Sequence, residues 1–112
     1  MTIKEGVMAA AATGPKNHIF VTRTAFKYMV VPGAHITAPG NDIRFRNLTG
    51  EDLEVVLPGV FEPNRFSLAP NASGVSTMVD PNAPAGAYEY EVKDGRGFFA
   101  EGNSSPRIIV DP

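Results

Sequence analysis

The chain has 112 residues, 43% of them hydrophobic and 20% charged, with a formal net charge of −2 and no cysteine. That length suits one domain with one ordinary core, and the apolar content argues against wholesale disorder. The near-neutral charge gives no sign of a nucleic-acid partner. The missing thiol excludes disulfides, thiolate metal sites and a cysteine nucleophile.

Residues 1–16 read as a flexible or weakly helical arm that ends at Gly14-Pro15. The start is a poor signal peptide, because Glu5 sits beside Lys4 and no long apolar stretch follows. A cytoplasmic location is expected for the chain as written, and a periplasmic or secreted one if it is a processed form. No apolar run approaches the roughly 20 residues of a membrane span.

Residues 17–112 read as a single β-domain. Gly 11 and Pro 10 are scattered along it, as short strands joined by turns require. Ile19 and Val21 alternate with Phe20 and Thr22, and Phe26, Tyr28 and Val30 alternate with Lys27, Met29 and Val31. Turns follow at Pro32-Gly33 and at Pro39-Gly40-Asn41. Asp42 to Asn47 is the clearest strand, with Ile43 and Phe45 inward and Arg44 and Arg46 outward. Shorter strands are expected over Leu53 to Leu57, Arg65 to Leu68 and Gly74 to Val79. After the rigid turn from Asp80 to Gly86, Tyr88, Tyr90 and Val92 alternate with Glu89 and Glu91. A tight turn is expected at Asp94 to Gly97, an irregular segment from Phe98 to Pro106, and a closing strand from Arg107 to Val110. The total is seven to nine strands and no helix longer than a turn or two.

Three of these segments, in this order, resemble the cupredoxin family. Gly40-Asn41-Asp42-Ile43-Arg44-Phe45-Arg46-Asn47 is similar to a characteristic cupredoxin strand. Pro84 to Val92, with its Tyr-x-Tyr, looks like the approach to the copper-ligand strand, and Pro106 to Val110 looks like the final strand without its glycine. The resemblance covers roughly residues 35–112 and implies an antiparallel Greek-key β-sandwich. A rival is an immunoglobulin or fibronectin type III-like sandwich, with Tyr88 and Tyr90 on a tyrosine-corner strand. The Asp42–Asn47 strand and the chain ending favour the cupredoxin-like form.

The resemblance also implies two His, one Cys and an axial Met for copper. Those ligands would fall near Leu53, at Val92, around Lys93 to Arg96 and near Ser104, and none of the required residue types is there. Because blue copper needs a thiolate, electron transfer of that kind is excluded. No cofactor or metal is expected.

Other constellations are weak. His18 and His35 are the only histidines and lack a third clustered ligand. A small ligand site or a metal site of another kind built on them is the alternative function. Glu89 and Glu91 are the wet face of an amphipathic strand rather than a paired acid and base. There is no Ser-His-Asp order, phosphate-cradling glycine loop or zinc spacing, so no enzyme is expected. Arg44, Arg46 and Lys27 make a small basic patch. The sequons at Asn47, Asn71 and Asn103 fit turn composition rather than glycan sites. Residues 1–50 carry six Lys/Arg against two Asp/Glu, and residues 51–112 four against ten. Interleaved strands are expected to average that asymmetry over the surface.

Phe98 and Phe99 fall in the segment that the resemblance makes the copper-binding loop, and Val60 and Phe61 are expected at the same end. One phenylalanine would plug the volume of the missing ligands. The rest would form an apolar docking surface. The expected function is therefore a non-catalytic binding or assembly module. Its partner would be another protein or a second copy of the chain.

Overall fold

The computed structural model describes residues 17–24, 27–70, 73–96 and 106–111. The expectations for residues 1–16 and for Phe26, Asn71, Phe98, Phe99 and Asn103 lie outside them. Eleven strands and no α-helix occur among the described residues: β1 (His18–Arg23), β2 (Tyr28–Val31), β3 (Ala34–Thr37), β4 (Asp42–Asn47), β5 (Leu53–Val56), β6 (Phe61–Glu62), β7 (Arg65–Leu68), β8 (Val75–Val79), β9 (Gly86–Glu89), β10 (Glu91–Asp94) and β11 (Arg107–Val110). Among the described residues no helix is long and apolar enough to cross a membrane.

The strands form one five-stranded sheet in the order β2-β1-β4-β8-β6 and two three-stranded sheets, β10-β5-β7 and β3-β11-β9. The two smaller sheets share one chain segment. Only Tyr90 separates β9 from β10, and its N–H bonds the Pro106 carbonyl at 3.1 Å. The inward parity of Tyr88, Tyr90, Val92 and Asp94 runs unbroken through that handover.

Pairing is mixed, which corrects the expectation of a purely antiparallel fold. β1 lies parallel to β4, with Ile19 opposite Phe45, and β3 lies parallel to β11, with His35 opposite Ile108. Parallel neighbours need a long crossover. The first pair gets one from β2 and β3, because Val31-Pro32-Gly33 carries the chain out of the five-stranded sheet into β3. The Val31–Pro32 peptide is cis, as is Glu62–Pro63.

The period-two residues meet between the layers. Ile19, Val21, Val30, Ile43, Phe45 and Val79 from the large sheet are buried with Leu53, Val55, Leu68, Val92, Ile108 and Val110 from the other two. Phe45 is the pivot, meeting Tyr90 edge-on at 5.6 Å and Phe66 at 5.7 Å. Such offset contacts favour aromatic rings beyond the area they bury. The fold is thus an all-β sandwich.

Candidate functional site

At one end of the sandwich the inner face turns polar. Asp94 ends β10 at an inward position, where its side chain is only 2% exposed. A carboxylate taken out of water must be paired. Tyr28, the first residue of β2, donates its hydroxyl to Asp94 Oδ2 at 2.9 Å from the facing layer. Arg96 donates from Nε (3.1 Å) and Nη2 (2.9 Å) to the same oxygen, and from its backbone N–H to Oδ1 at 2.8 Å. Burial, and then the Glu51 and Asp94 carboxylates beside it, push the Tyr28 phenol above its usual range. It is therefore a neutral donor at ordinary pH. The bonds to Asp94 and to Tyr28 hold the Arg96 guanidinium still more firmly protonated.

Two further charges extend this cluster into solvent. Glu51 bonds the Arg23 guanidinium and lies 3.3 Å from Arg96 Nη2. Arg23 also stands over the Tyr28 ring, 5.5 Å from its centroid, a cation–π arrangement.

The loop that carries Glu51 is tied down by Asn47. Its Nδ2 donates to the Glu51 carbonyl (2.7 Å) and to the Leu68 carbonyl (2.9 Å). Its Oδ1 accepts from the Thr49 N–H (2.8 Å) and hydroxyl (2.6 Å). Asn47 is 1% exposed and its amide nitrogen is fully engaged, so the sequon at this position is a structural knot and not a glycan acceptor.

Leu53 and Val92, where the resemblance would put the first His and the Cys, stand beside the polar cluster. Val92 pairs with Val55, and Asp94 with Leu53. Both apolar side chains are buried. They donate no electron pair, so these residues do not fit a copper ion.

The remaining sequence-named residues disperse. Phe61 is 1% exposed and packs edge-on against Tyr88 at 6.0 Å. This corrects its expected place on a docking surface: β6 pairs with β8, and Phe61 takes the inward position of that ladder opposite Val79. Val60 is half-buried against the core. Phe98 and Phe99 are not described.

His18 and His35 are not brought together. His18 lies on the outer face of β1, whereas His35 points inward from β3, in another sheet. Burial holds the His35 imidazole below its ordinary value, and its Nε2 has no hydrogen-bond partner among the described residues. Among the described residues no group of three or more His, Cys, Asp or Glu is arranged to hold a metal.

The polar cluster itself escaped the sequence reading, which put Asp94 in a turn. One signal for it was present: Asp94 continues the inward period of Tyr88, Tyr90 and Val92. A carboxylate at an inward position requires a partner. No protein-family model matches the chain, and no curated protein matches it.

Proposed function

We propose that this chain is a non-catalytic binding or assembly module on a copper-free, cupredoxin-like Greek-key scaffold. The observation that separates the reading from its rival is the layer order. One layer runs β2-β1-β4-β8-β6, and the other runs β3-β11, then the β9–β10 segment, then β5-β7, with the parallel pairs at β1/β4 and β3/β11. The parallel pairs count against the immunoglobulin-like alternative, whose sheets are antiparallel, and the cupredoxin-like reading is kept on its sequence segments rather than on their pairing.

Leu53 and Val92 fill the core at the end where a cupredoxin would carry metal, and the Tyr28–Asp94–Arg96 cluster closes that end. A scaffold packed in this way offers its surface rather than a redox centre. The partner is another protein or a second copy of the chain. Its proposed contact is built on Phe98 and Phe99 of the sequence.

Two measurements test this. After incubation with Cu(II) or Zn(II) and desalting, metal analysis should find far less than one ion per chain; one ion per chain would overturn the copper-free reading. Light scattering and pull-down with Phe98→Ser/Phe99→Ser should show weakened association, and association unchanged by the double substitution removes the proposed contact.

A further inference from the structure

The outer face of the five-stranded sheet holds two arginines whose charge no carboxylate among the described residues cancels. Arg23, Arg65 and Arg96 each pair with a carboxylate. Arg44 and Arg46 do not, among the described residues, although both are half-buried. Arg44 donates to the Ser73 carbonyl at 3.0 Å, a neutral acceptor. Arg46 Nε is buried and has no hydrogen-bond partner among the described residues. Asp42 shares this face at the exposed start of β4. A buried donor on a cation is costly to leave without an acceptor, and an anionic ligand on this face would supply one.

The surroundings favour such a ligand. Residues two apart on one strand face project side chains about 7 Å apart, so the two guanidinium groups can converge on one small group. The register places His18 beside Arg44 and Phe20 beside Arg46. The His18 and Phe20 rings meet edge-on at 5.7 Å.

Gly74 forms the floor. A Cβ there would lie 2.8 Å from Arg46 Cδ and 3.2 Å from Arg44 Cγ, so the two stems lie directly against its backbone. That packing orders the stems before any ligand arrives, which lowers the entropy cost of binding.

We propose that Arg44 and Arg46, with His18 beside them, form an oxyanion site whose ligand is a phosphate group. A carboxylate brings one negative charge to two guanidinium groups, whereas a phosphate dianion matches both charges and offers each fork its own pair of oxygens. The site is independent of the copper-free reading, because it stands on the outer face of the sheet and not in the core.

The test is an NMR titration of the full chain at constant pH and low ionic strength, following the arginine Nε–Hε signals. The probes are inorganic phosphate and phenyl phosphate, with sodium chloride at matched ionic strength as the control. Saturable shifts at Arg44, Arg46, His18 and Gly74 are expected with at least one probe, and the tighter probe tells whether the ligand is a free phosphate or a phosphoester. Arg46→Gln should weaken binding about tenfold or more, the loss of a charge-assisted hydrogen bond. Arg46→Lys, which keeps the charge and loses the fork, should fall between. Shifts that fail to saturate, shifts that chloride reproduces, or undiminished binding by a folded Arg44→Gln/Arg46→Gln variant would overturn the proposal.

Discussion

Asp94→Ala tests how the closed end of the sandwich is held. The substitution removes the acceptor of the Tyr28 hydroxyl and of three Arg96 N–H groups. Arg96 is more than half exposed and recovers its lost bonds from water, so its share of the cost is small. Tyr28 is 4% exposed, so water does not replace its lost acceptor, and the Glu51 carboxylate beside it can do so only in part. An orphaned buried donor costs about 1–3 kcal/mol, and the lost carboxylate packing adds to it. A loss of about 2–3 kcal/mol follows. In a domain of this size that lowers the thermal midpoint by about 10 °C.

Tyr28→Phe removes the donor itself and should cost only about 1 kcal/mol. The double variant should then cost clearly less than the two single losses together, with a coupling of about 1 kcal/mol. Urea unfolding followed by circular dichroism measures all four species of this cycle. Strict additivity, or an Asp94→Ala loss under about 0.5 kcal/mol, would refute the claim that the buried pair holds the two layers together at this end.

Three further outcomes are expected. His35 is buried and held below its ordinary pKa of 6.5, so the unfolded chain takes up its proton first as pH falls. Stability should be complete above about pH 6.5 and decline below it, by at most about 1.4 kcal/mol per pH unit. In unfolding curves between pH 7 and 5, His35→Leu should remove that part of the slope, and an unchanged slope would contradict the assignment. Gly74→Ala forces a side chain onto a backbone at φ +100°, with its Cβ 2.5 Å from the Phe45 carbonyl oxygen. Chemical denaturation should show a loss of about 2–3 kcal/mol, and a neutral result would mean that the backbone there relaxes freely. Tyr90→Phe removes a buried hydroxyl that has no hydrogen-bond partner among the described residues and whose pKa burial raises. It should leave the thermal midpoint unchanged or higher; a loss above about 1 kcal/mol would reveal an internal water bound to that hydroxyl.

The faces of individual strands were legible in the chain. Ile43 and Phe45 against Arg44 and Arg46, and Tyr88, Tyr90 and Val92 against Glu89 and Glu91, declare inside and outside by simple alternation, because burial on a strand repeats every second residue. The lack of a thiol, and with it the exclusion of blue copper, was equally a property of the chain alone.

Only the tertiary structure decided which strands are neighbours. The parallel pairing of β1 with β4 depends on a crossover through another sheet, and nothing in the alternation of His18 to Arg23 names its partner. β3 went unread because Ala34 to Thr37 puts His and Thr inward and Ala and Ile outward, the reverse of the usual pattern. Phe61 was assigned to the surface because its burial comes from the facing layer, through Tyr88, and not from its own segment. The Asp94 cluster draws on five residues from Arg23 to Arg96, and the unpaired arginines show only against a ledger of every nearby carboxylate. Alternation is a local property of the chain. Pairing and charge compensation are set by residues far apart in sequence, and folding alone brings those together.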